Sequence, residues 1–351
     1  MKIIITIIAI VFISATALPL IRYEDWWIRI FDFPRTQIAV GGLIIMFIYL
    51  LVYNKTNFAE NIIFIILIIC VAYQLYRMYP YTPVASIQVL NNEENDPEKR
   101  LKVLVANIYM KNRDSGKFIE QIRNTDPDIV CVLEPDEWWD SELEIFQDSY
   151  PYSKKHISDD TYGMIFYSKL KPVLSEVNYL VEDYIPSVHS ILELKSGDLI
   201  EFYCVHPNPP NPKYADDTVE RDAELLIVGK KAKESDMPTV VAGDLNDVAW
   251  SYTTGLFQKI SGLLDPRIGR GFYNTFHVKY PIIRFPLDHI FVSDSFRVVE
   301  LRKLPDVGSD HFPILAEFSY EPHNKDEQQK NKPEADHEDR KEAEEKIEEA
   351  K

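Results

Sequence analysis

The pattern of apolar and polar residues divides the chain into two unlike parts. Three almost uncharged apolar runs occupy residues 3–21, 38–53 and 62–79, with short loops between them. An apolar helix of about 20 residues crosses the ~30 Å hydrocarbon core of a bilayer, although the second run is slightly short for this. The pattern therefore predicts a membrane anchor with three transmembrane helices over residues 1–80. A cleaved signal peptide for the first run and a buried helical bundle are the competing interpretations.

The charges around the anchor favour two opposite orientations. Trp26 and Trp27, in the first loop, are residue types that favour the membrane interface. Four arginines on the side of the carboxyl-terminal domain outnumber the two lysines on the other side (Arg22, Arg29, Arg35 and Arg77 against Lys2 and Lys55). By the positive-inside rule this count favours a cytoplasmic domain. An apolar run directly after Met-Lys instead favours an inside amino terminus and, after three spans, an external domain.

After a polar linker at residues 81–100, short apolar runs alternate with helical or polar stretches over residues 101–320. The predicted strands are 101–106, 129–133, 164–167, 190–194, 200–205, 239–242, 289–292 and 314–318, and the predicted helices are 115–124 and 217–235. Some 220 residues of this pattern suffice for a single α/β domain with a sizeable core. The charged tail at 321–351 has almost no large apolar residues, which predicts disorder or a frayed helix.

Net charge and cysteine content exclude two classes of protein. The formal net charge of −17 argues against a sequence-independent nucleic-acid binder, which needs a cationic surface. The three cysteines, Cys70, Cys131 and Cys204, are too few for a disulfide scaffold. Each lies in an apolar or strand-like run, so we expect all three to be small buried hydrophobic residues.

Polar side chains stand at the ends of several predicted strands. In chain order they are Asn107, Glu134, His206, Asp244, Asn246, Asp288, Asp310 and His311. Taken singly, each has a structural explanation, such as a strand-ending turn, a solvated strand end or a surface ion pair. Sites in α/β sheets gather where strands end, and a carboxylate after a buried strand needs a metal or hydrogen-bond partner. The set together therefore predicts one site with acid–base and metal chemistry.

The order of these motifs resembles the endonuclease/exonuclease/phosphatase superfamily, which includes DNase I-like nucleases, sphingomyelinases and inositol-polyphosphate phosphatases. The matching stretches are Val105-Ala106-Asn107, Val132-Leu133-Glu134, Val205-His206-Pro207, Gly243-Asp244-Leu245-Asn246, Leu287-Asp288-His289-Ile290-Phe291 and Ser309-Asp310-His311. The resemblance covers residues 101–320. It implies an α/β (α+β) fold, a four-layer sandwich of two mixed sheets flanked by helices, and Mg²⁺-dependent hydrolysis of a phosphoester or phosphoanhydride.

The resemblance also implies a role for each residue. Glu134 would be the principal ligand of Mg²⁺, with Mn²⁺ as an alternative ion, and Asn107 and Asp310 would lie near the metal. Asp244 would orient or deprotonate the attacking water, and Asp288 would fix His311, whose imidazolium stabilises charge on the phosphoryl group. Asn246 and His206 would hold phosphate oxygens. The chain departs from some relatives at Tyr109, where they carry a second acidic or amide residue, which puts a two-metal site in doubt.

The predicted membrane anchor restricts the class of substrate that we expect. Three spans followed by this domain, with the stretch from His206 to Pro210, resemble bacterial membrane phosphatases associated with teicoplanin resistance. That resemblance implies a multi-pass cell-membrane protein with an external domain, acting on a polyprenyl pyrophosphate in the bilayer. A nuclease of the same superfamily is the alternative, with nucleic acid disfavoured by the acidic chain. An inactive, membrane-tethered interaction module is a third possibility.

Overall fold

Three amino-terminal helices are long and apolar enough to cross a membrane. The computed structural model describes residues 2–209 and 217–351 of the chain. Its first four helices are α1 (Lys2–Ala17), α2 (Trp26–Arg29), α3 (Arg35–Val52) and α4 (Phe58–Met78). The stretches with membrane-spanning length and composition are Lys2–Leu20, Arg35–Val52 and Phe58–Tyr81, which agrees with the three predicted spans.

The three long helices pack through a small cluster and leave most of their apolar surface outward. Phe12, Tyr49 and Val71, one from each helix, meet in the buried cluster. A side chain at Gly42 would displace the Phe12 ring, because its Cβ would stand 2.3 Å from that ring. Apolar residues such as Phe47 and Ile69 remain exposed, as expected for helices that lipid surrounds.

The rest of the chain forms two mixed sheets packed face to face. Their strands are β1 (Arg100–Asn107), β2 (Ile129–Leu133), β3 (Tyr152–His156), β4 (Met164–Ser168), β5 (Lys171–Asn178), β6 (Ser187–Glu193), β7 (Leu199–Val205), β8 (Thr239–Asp244), β9 (Asp288–Val292), β10 (Phe296–Lys303) and β11 (Ile314–Tyr320). The six-stranded sheet has the order β10-β11-β1-β2-β4-β3 and the five-stranded sheet the order β5-β6-β7-β8-β9. Their facing side chains, including Val103, Phe166, Phe202 and Ile290, form the main core.

Helices cover the outer face of each sheet and complete four layers. They are α5 (Gly116–Thr125), α6 (Glu137–Leu143), α7 (Val219–Glu234) and α8 (Tyr252–Ser261). Phe118 of α5 and Trp139 of α6 are buried against the six-stranded sheet. Leu225 of α7 and Phe257 of α8 are buried against the five-stranded sheet. The predicted α/β sandwich of two mixed sheets is therefore confirmed.

Each strand pattern in the sequence corresponds to a strand, but three further strands were missed. The missed strands are β3, β5 and β10, and all three lie at sheet edges. In β5 most side chains are partly or fully exposed, so the segment lacks the apolar run that marks a buried strand. Both predicted helices of the domain are present, as α5 and α7.

Of the two alternatives expected for residues 321–351, disorder or a frayed charged helix, the structure is nearer to the second. The segment forms α9 (Lys325–Gln329) and α10 (His337–Glu349), and α10 begins with a capping box between Asp336 and Asp339. Ala343 is buried with Leu226 of α7 and Leu256 of α8. A few small or aliphatic contacts suffice here because the long charged side chains pair with residues of the domain.

The predicted linker at 81–100 is also part of the domain. Val89 is buried in the core between the sheets. Asn92 N–H donates to the Val298 carbonyl (2.9 Å) and Val298 N–H donates to the Leu90 carbonyl (2.9 Å), so this segment extends the β10 edge. The buried Val89 side chain and these backbone hydrogen bonds therefore fix the segment to the sheets.

Candidate active site

One cleft gathers the polar residues predicted from the strand ends. It measures about 500 Å³, and seven of the eight predicted residues line it: Asn107, Glu134, His206, Asp244, Asn246, Asp310 and His311. The eighth, Asp288, lies behind His311 and contacts its ring. The structure thus brings the whole predicted set together at one edge of the sandwich.

Strand ends of the six-stranded sheet supply Asn107 and Glu134. Asn107 is the last residue of β1, opposite Leu133 of the parallel strand β2, so Glu134 emerges beside it. Glu134 has a left-handed backbone (φ 62°), and its N–H donates to the Gly163 carbonyl at 2.9 Å. Position 163 has room only for glycine, because a Cβ would stand 1.9 Å from the Pro135 carbonyl oxygen. This close packing fixes where the Glu134 side chain enters the cleft.

The five-stranded sheet places two carboxylates side by side. Asp244 ends β8 and pairs in register with Asp288, the first residue of β9. Gly243 has φ 150°, and a Cβ there would stand 1.9 Å from the Val205 carbonyl oxygen. Asn246 also has a left-handed backbone (φ 51°), and its N–H donates to Asp244 Oδ1 at 2.9 Å. A left-handed backbone at a residue other than glycine, as at Asn246, costs roughly 1–3 kcal/mol, and such residues concentrate at functional sites.

His311 lies between these two carboxylates. Its Nδ1 is 2.8 Å from Asp288 Oδ2 and its Nε2 is 3.6 Å from Asp244 Oδ2. Burial alone would lower the pKa of His311, but the charges of Asp288 and Asp244 outweigh it and raise this pKa to about 10. His311 is therefore an imidazolium at neutral pH, and each ring N–H faces a carboxylate.

The turn that carries His311 is held by Ser309. Its hydroxyl donates to the Asn107 carbonyl at 2.7 Å, and the His311 N–H donates back to the same hydroxyl at 3.0 Å. The end of β1 and the turn before β11 are thus connected directly. Sequence reasoning included Ser309 in a motif without giving it this role.

Glu134 and the acidic residues near it offer oxygen ligands for a hard cation. Burial raises the pKa of the Glu134 carboxyl to about 7, although the Asn107 amide and His311 counteract it. Asp310 and Asp244 line the same cleft. A carboxylate that is costly to ionise in a cluster of acids is suited to a divalent cation, which replaces the missing positive charge.

The orientation of the Asn107 amide differs from the predicted ligand role. Its Nδ2 donates to Glu134 Oε1 (2.8 Å) and Asp244 Oδ2 (3.2 Å), while its Oδ1 accepts from the Tyr109 N–H (3.1 Å). The amide thus presents its nitrogen to the carboxylates. To ligate a metal through oxygen, the Asn107 amide would have to turn over.

A second group of candidate metal ligands is formed by Asp244, Asp288 and His311, whose ligand atoms all lie within 4.8 Å of one another. A histidine that binds a metal must be neutral, so that one ring nitrogen is free of its proton. Both ring nitrogens of His311 instead face carboxylates and hold protons. The physical argument therefore places a cation on the Glu134 side of the cleft.

His206 and Asn246 face the same space. His206 is buried, which lowers its pKa, and its Nδ1 has no hydrogen-bond partner among the described residues. The Asn246 amide donates to the Pro207 carbonyl at 2.8 Å. Of the proline-rich stretch after His206, Pro210 lies outside the described residues.

Two supporting features were not predicted from the sequence. Arg221 is buried, 2.7 Å from Asp222, and donates to the Asn246 carbonyl at 3.1 Å. It therefore supports the Asn246 loop. The other feature is a cleft wall formed by Ile30, Phe33 and Pro34 of the anchor. Such a long-range contact has no local signal in the sequence.

Two packed sheets with acids, an amide and a charged histidine at one edge define a phosphohydrolase-like fold with a possible metal site. The chain belongs to the Endonuclease/Exonuclease/phosphatase family, whose family model matches residues 104–311. Members of this family are typically hydrolases that act on phosphoester bonds.

Solved structures share the fold at low sequence identity. TDP2 from D. rerio, complexed with a single strand DNA product, is 20% identical with a TM-score of 0.53, and the alignment covers 63% of this chain and 99% of that one. The human Nocturnin catalytic domain with bound sulfate anion is 17% identical with a TM-score of 0.52, covering 67% of this chain and 97% of that one. A search of curated protein sequences found no significant match.

Proposed function

We propose that the protein is a membrane-anchored, Mg²⁺-dependent phosphohydrolase whose substrate is a lipid-linked phosphate, such as a polyprenyl pyrophosphate. The observation that carries this proposal is the composition of the cleft. Glu134, Asp244 and His311 form its polar side, and Ile30 and Phe33, between the first two spans, form part of its apolar side. A site with phosphate chemistry on one wall and membrane-anchor residues on another suits an amphiphilic substrate.

In this proposal Glu134 and Asp310 hold the metal, and Asn107 orients the Glu134 carboxylate. When bound, Mg²⁺ neutralises developing charge on the phosphoryl oxygens. Oxygen ligands from one or two carboxylates are the arrangement that Mg²⁺ prefers. Burial raises the pKa of Glu134, so its carboxylate is costly to ionise without a cation, and this supports the assignment.

The remaining residues position water and phosphate. Asp244 accepts a proton from the attacking water; its Oδ1 is oriented by the Asn246 N–H and its Oδ2 by the Asn107 amide. The His311 imidazolium, oriented by Asp288, stabilises negative charge on the phosphoryl group. His206 and Asn246 donate N–H groups to phosphate oxygens. Hydrolysis then proceeds mainly through positioning and electrostatics.

Nuclease activity is the second candidate from the same fold, and the charges count against it. Among the described residues that line the cleft, none is lysine or arginine. The chain carries a net charge of −17. A polyanion longer than one phosphate group gains affinity from cationic contacts that the described lining of the cleft does not supply.

The test is phosphate release by the full-length protein in detergent micelles, with polyprenyl pyrophosphate or supercoiled DNA as substrate. We expect Mg²⁺-dependent phosphate release and intact DNA. Nicking of the DNA without phosphate release would overturn the proposal in favour of a nuclease. Turnover of neither substrate would favour an inactive interaction module.

Matched variants test the assignment of residues. Glu134→Gln and His311→Ala should each lower kcat on the order of 10²-fold or more, since each removes a charge that acts on the reacting group. The controls are Glu338→Gln and His323→Ala, which change exposed residues of the same types in the carboxyl-terminal segment. Wild-type rates in both site variants would refute the assignment.

A further inference from the structure

A second cavity lies between the membrane anchor and the domain, next to the active-site cleft. It measures about 460 Å³ and is bounded by α3, through Gln37, Val40, Gly41 and Ile44, and by the loop at residues 274–284, through Ile282. We call it the α3 groove. Its lining is predominantly apolar, and no residue of the predicted site belongs to it.

The groove and the cleft are lined by neighbouring residues of the same two segments. Pro34 lines the cleft and Thr36 the groove, and likewise Ile283 lines the cleft while Ile282 lines the groove. The Gln37 side chain joins the two walls by donating to the Ile282 carbonyl at 2.6 Å. A chain attached to a phosphate in the cleft could therefore enter the groove beside these residues.

The loop that forms one wall is both apolar and fixed. Ile282 is 79% exposed, and Tyr280 and Ile283 are also exposed, beside a helix that is apolar enough to span a membrane. The turn is closed by the Ile283 N–H donating to the Tyr280 carbonyl (3.0 Å), and Arg284 donates to the Val278 carbonyl (2.8 Å). Exposed aliphatic side chains on a rigid loop next to a span are suited to contact with lipid.

We propose that the α3 groove binds the hydrocarbon chain of the lipid-linked substrate, next to the phosphate group in the cleft. This inference rests on the proposed function and adds to it a site for the chain. Residues 36 to 44 extend about 12 Å along the helix at ~1.5 Å per residue, so the groove holds only the first part of a long chain. The rest of the hydrocarbon chain stays in the bilayer, and α3 extends from the bilayer to the site.

Gly41 offers a way to fill the groove without disturbing the helix packing. No heavy atom lies within 4 Å of the position that its Cβ would occupy. Gly42, the next residue, packs against Phe12 and does not offer this space. Gly255 in α8, which does not line the groove, is equally open and provides a matched control.

The first experiment compares full-length wild type, Gly41→Trp and Gly255→Trp on a long-chain polyprenyl pyrophosphate and on five-carbon dimethylallyl pyrophosphate. In Gly41→Trp we expect the ratio of kcat/KM for the long to the short substrate to fall about tenfold, which corresponds to about two buried CH₂ groups lost. The ratio should keep its wild-type value in Gly255→Trp. An unchanged ratio in Gly41→Trp would overturn the groove as the chain site.

A second measurement does not depend on turnover. A polyprenyl phosphate with a photoreactive group in its first isoprenoid unit should crosslink to peptides that contain Val40 or Ile282, with a lower yield in Gly41→Trp. Absence of these crosslinks would refute the groove even if phosphate is released. Crosslinks without phosphate release would support the groove and count against the proposed hydrolysis.

Discussion

At the scale of single residues, the charge of His311 depends on its two neighbouring carboxylates. Burial disfavours an imidazolium, so the protonated form exists because Asp288 and Asp244 face the ring. Since the pKa in the folded state is raised, this contribution to stability is complete below the ordinary pKa of 6.5 and is lost as the pH rises towards about 10. The same charge is the one proposed to act on the phosphoryl group.

Replacing Asp288 by Asn tests this coupling. The variant keeps the shape of the side chain and removes one negative charge, so the pKa of His311 should fall by about 1–3 units. The alkaline limb of the kcat–pH profile should then move to lower pH, with a greater loss of activity at pH 9 than at pH 7. Asp326→Asn, at an exposed position, is the control. A profile that keeps its shape and only loses height would show that Asp288 does not set the charge of His311.

Glu134 makes metal binding and pH interdependent. Its pKa of about 7 means that a metal must displace a proton below neutral pH, so apparent Mg²⁺ affinity should rise up to ~10-fold per pH unit towards pH 7 and then level off. Without metal, the stability that protonated Glu134 provides is present below its ordinary pKa of 4.5 and is lost as the pH rises through about 7.

The raised pKa of Glu134 predicts that Glu134→Gln changes the Tm in opposite directions, relative to wild type, with and without metal. In EDTA at pH 8 the variant should have a higher Tm than wild type, because it lacks a carboxylate that is costly to ionise. Added Mg²⁺ should raise the Tm of wild type and leave that of the variant unchanged. Thermal unfolding in micelles at pH 5.5 and pH 8 measures both. Equal Mg²⁺ stabilisation of the two proteins would remove Glu134 from the metal site.

The composition of the site could be predicted from the sequence, because each residue follows an apolar strand. Parallel pairing of β1 with β2 and of β7 with β8 then brings the residues to one edge. The direction of the Asn107 amide could not be predicted in this way, since it depends on hydrogen bonds to Tyr109 and Glu134. The burial of Arg221 likewise depends on Asp222 and on the loop at Asn246.

At the scale of elements, the carboxyl-terminal helix α10 connects the domain to the anchor. Lys346 is buried and pairs with Glu24, which precedes α2, and with Asp222 of α7 at 3.3 Å. Arg22 pairs with Glu342 of the same helix at 3.2 Å. A frayed helix was one of the two expectations for this segment, but its packing against the domain was not predicted because its residues are nearly all charged. Its stability comes from partners that are distant in the sequence, with Ala343 as a small apolar contact.

Lys346→Ala should therefore destabilise the protein. Removing one partner of a buried ion pair costs about 3–5 kcal/mol, and we expect about 3 because Arg221 still pairs with Asp222. In a domain of this size that corresponds to a Tm lower by roughly 6–12 °C. Lys341→Ala, which removes an exposed pair with Glu345 in the same helix, should change stability by less than about 1 kcal/mol. Equal Tm values for the two variants would contradict a connecting role for Lys346.

At the scale of the whole molecule, the anchor and the domain form one contact surface beside the cleft. Phe33, Met78 and Tyr81 of the anchor side are buried with Trp250 and Phe285 of the domain. The Trp250 indole donates to the Asp32 carbonyl at 2.8 Å and the Tyr81 hydroxyl to the Ala249 carbonyl at 2.5 Å. The cleft thus lies close to the ends of α3 and α4, which is where the proposed function requires a phosphate at a membrane surface. This arrangement is the same for either orientation in the membrane.

The orientation itself can be measured with introduced cysteines, because the three native ones are free and buried. Lys55, between α3 and α4, and Lys117, in the domain, are both exposed, and three spans place them on opposite sides of the membrane. We predict an external domain, so a membrane-impermeant maleimide should label Lys117→Cys in intact spheroplasts and Lys55→Cys only after lysis. The reverse pattern would place the catalytic domain in the cytoplasm, as the arginine count favours. It would also restrict the substrate to phosphates of the inner leaflet, whereas the predicted pattern restricts it to those of the outer leaflet.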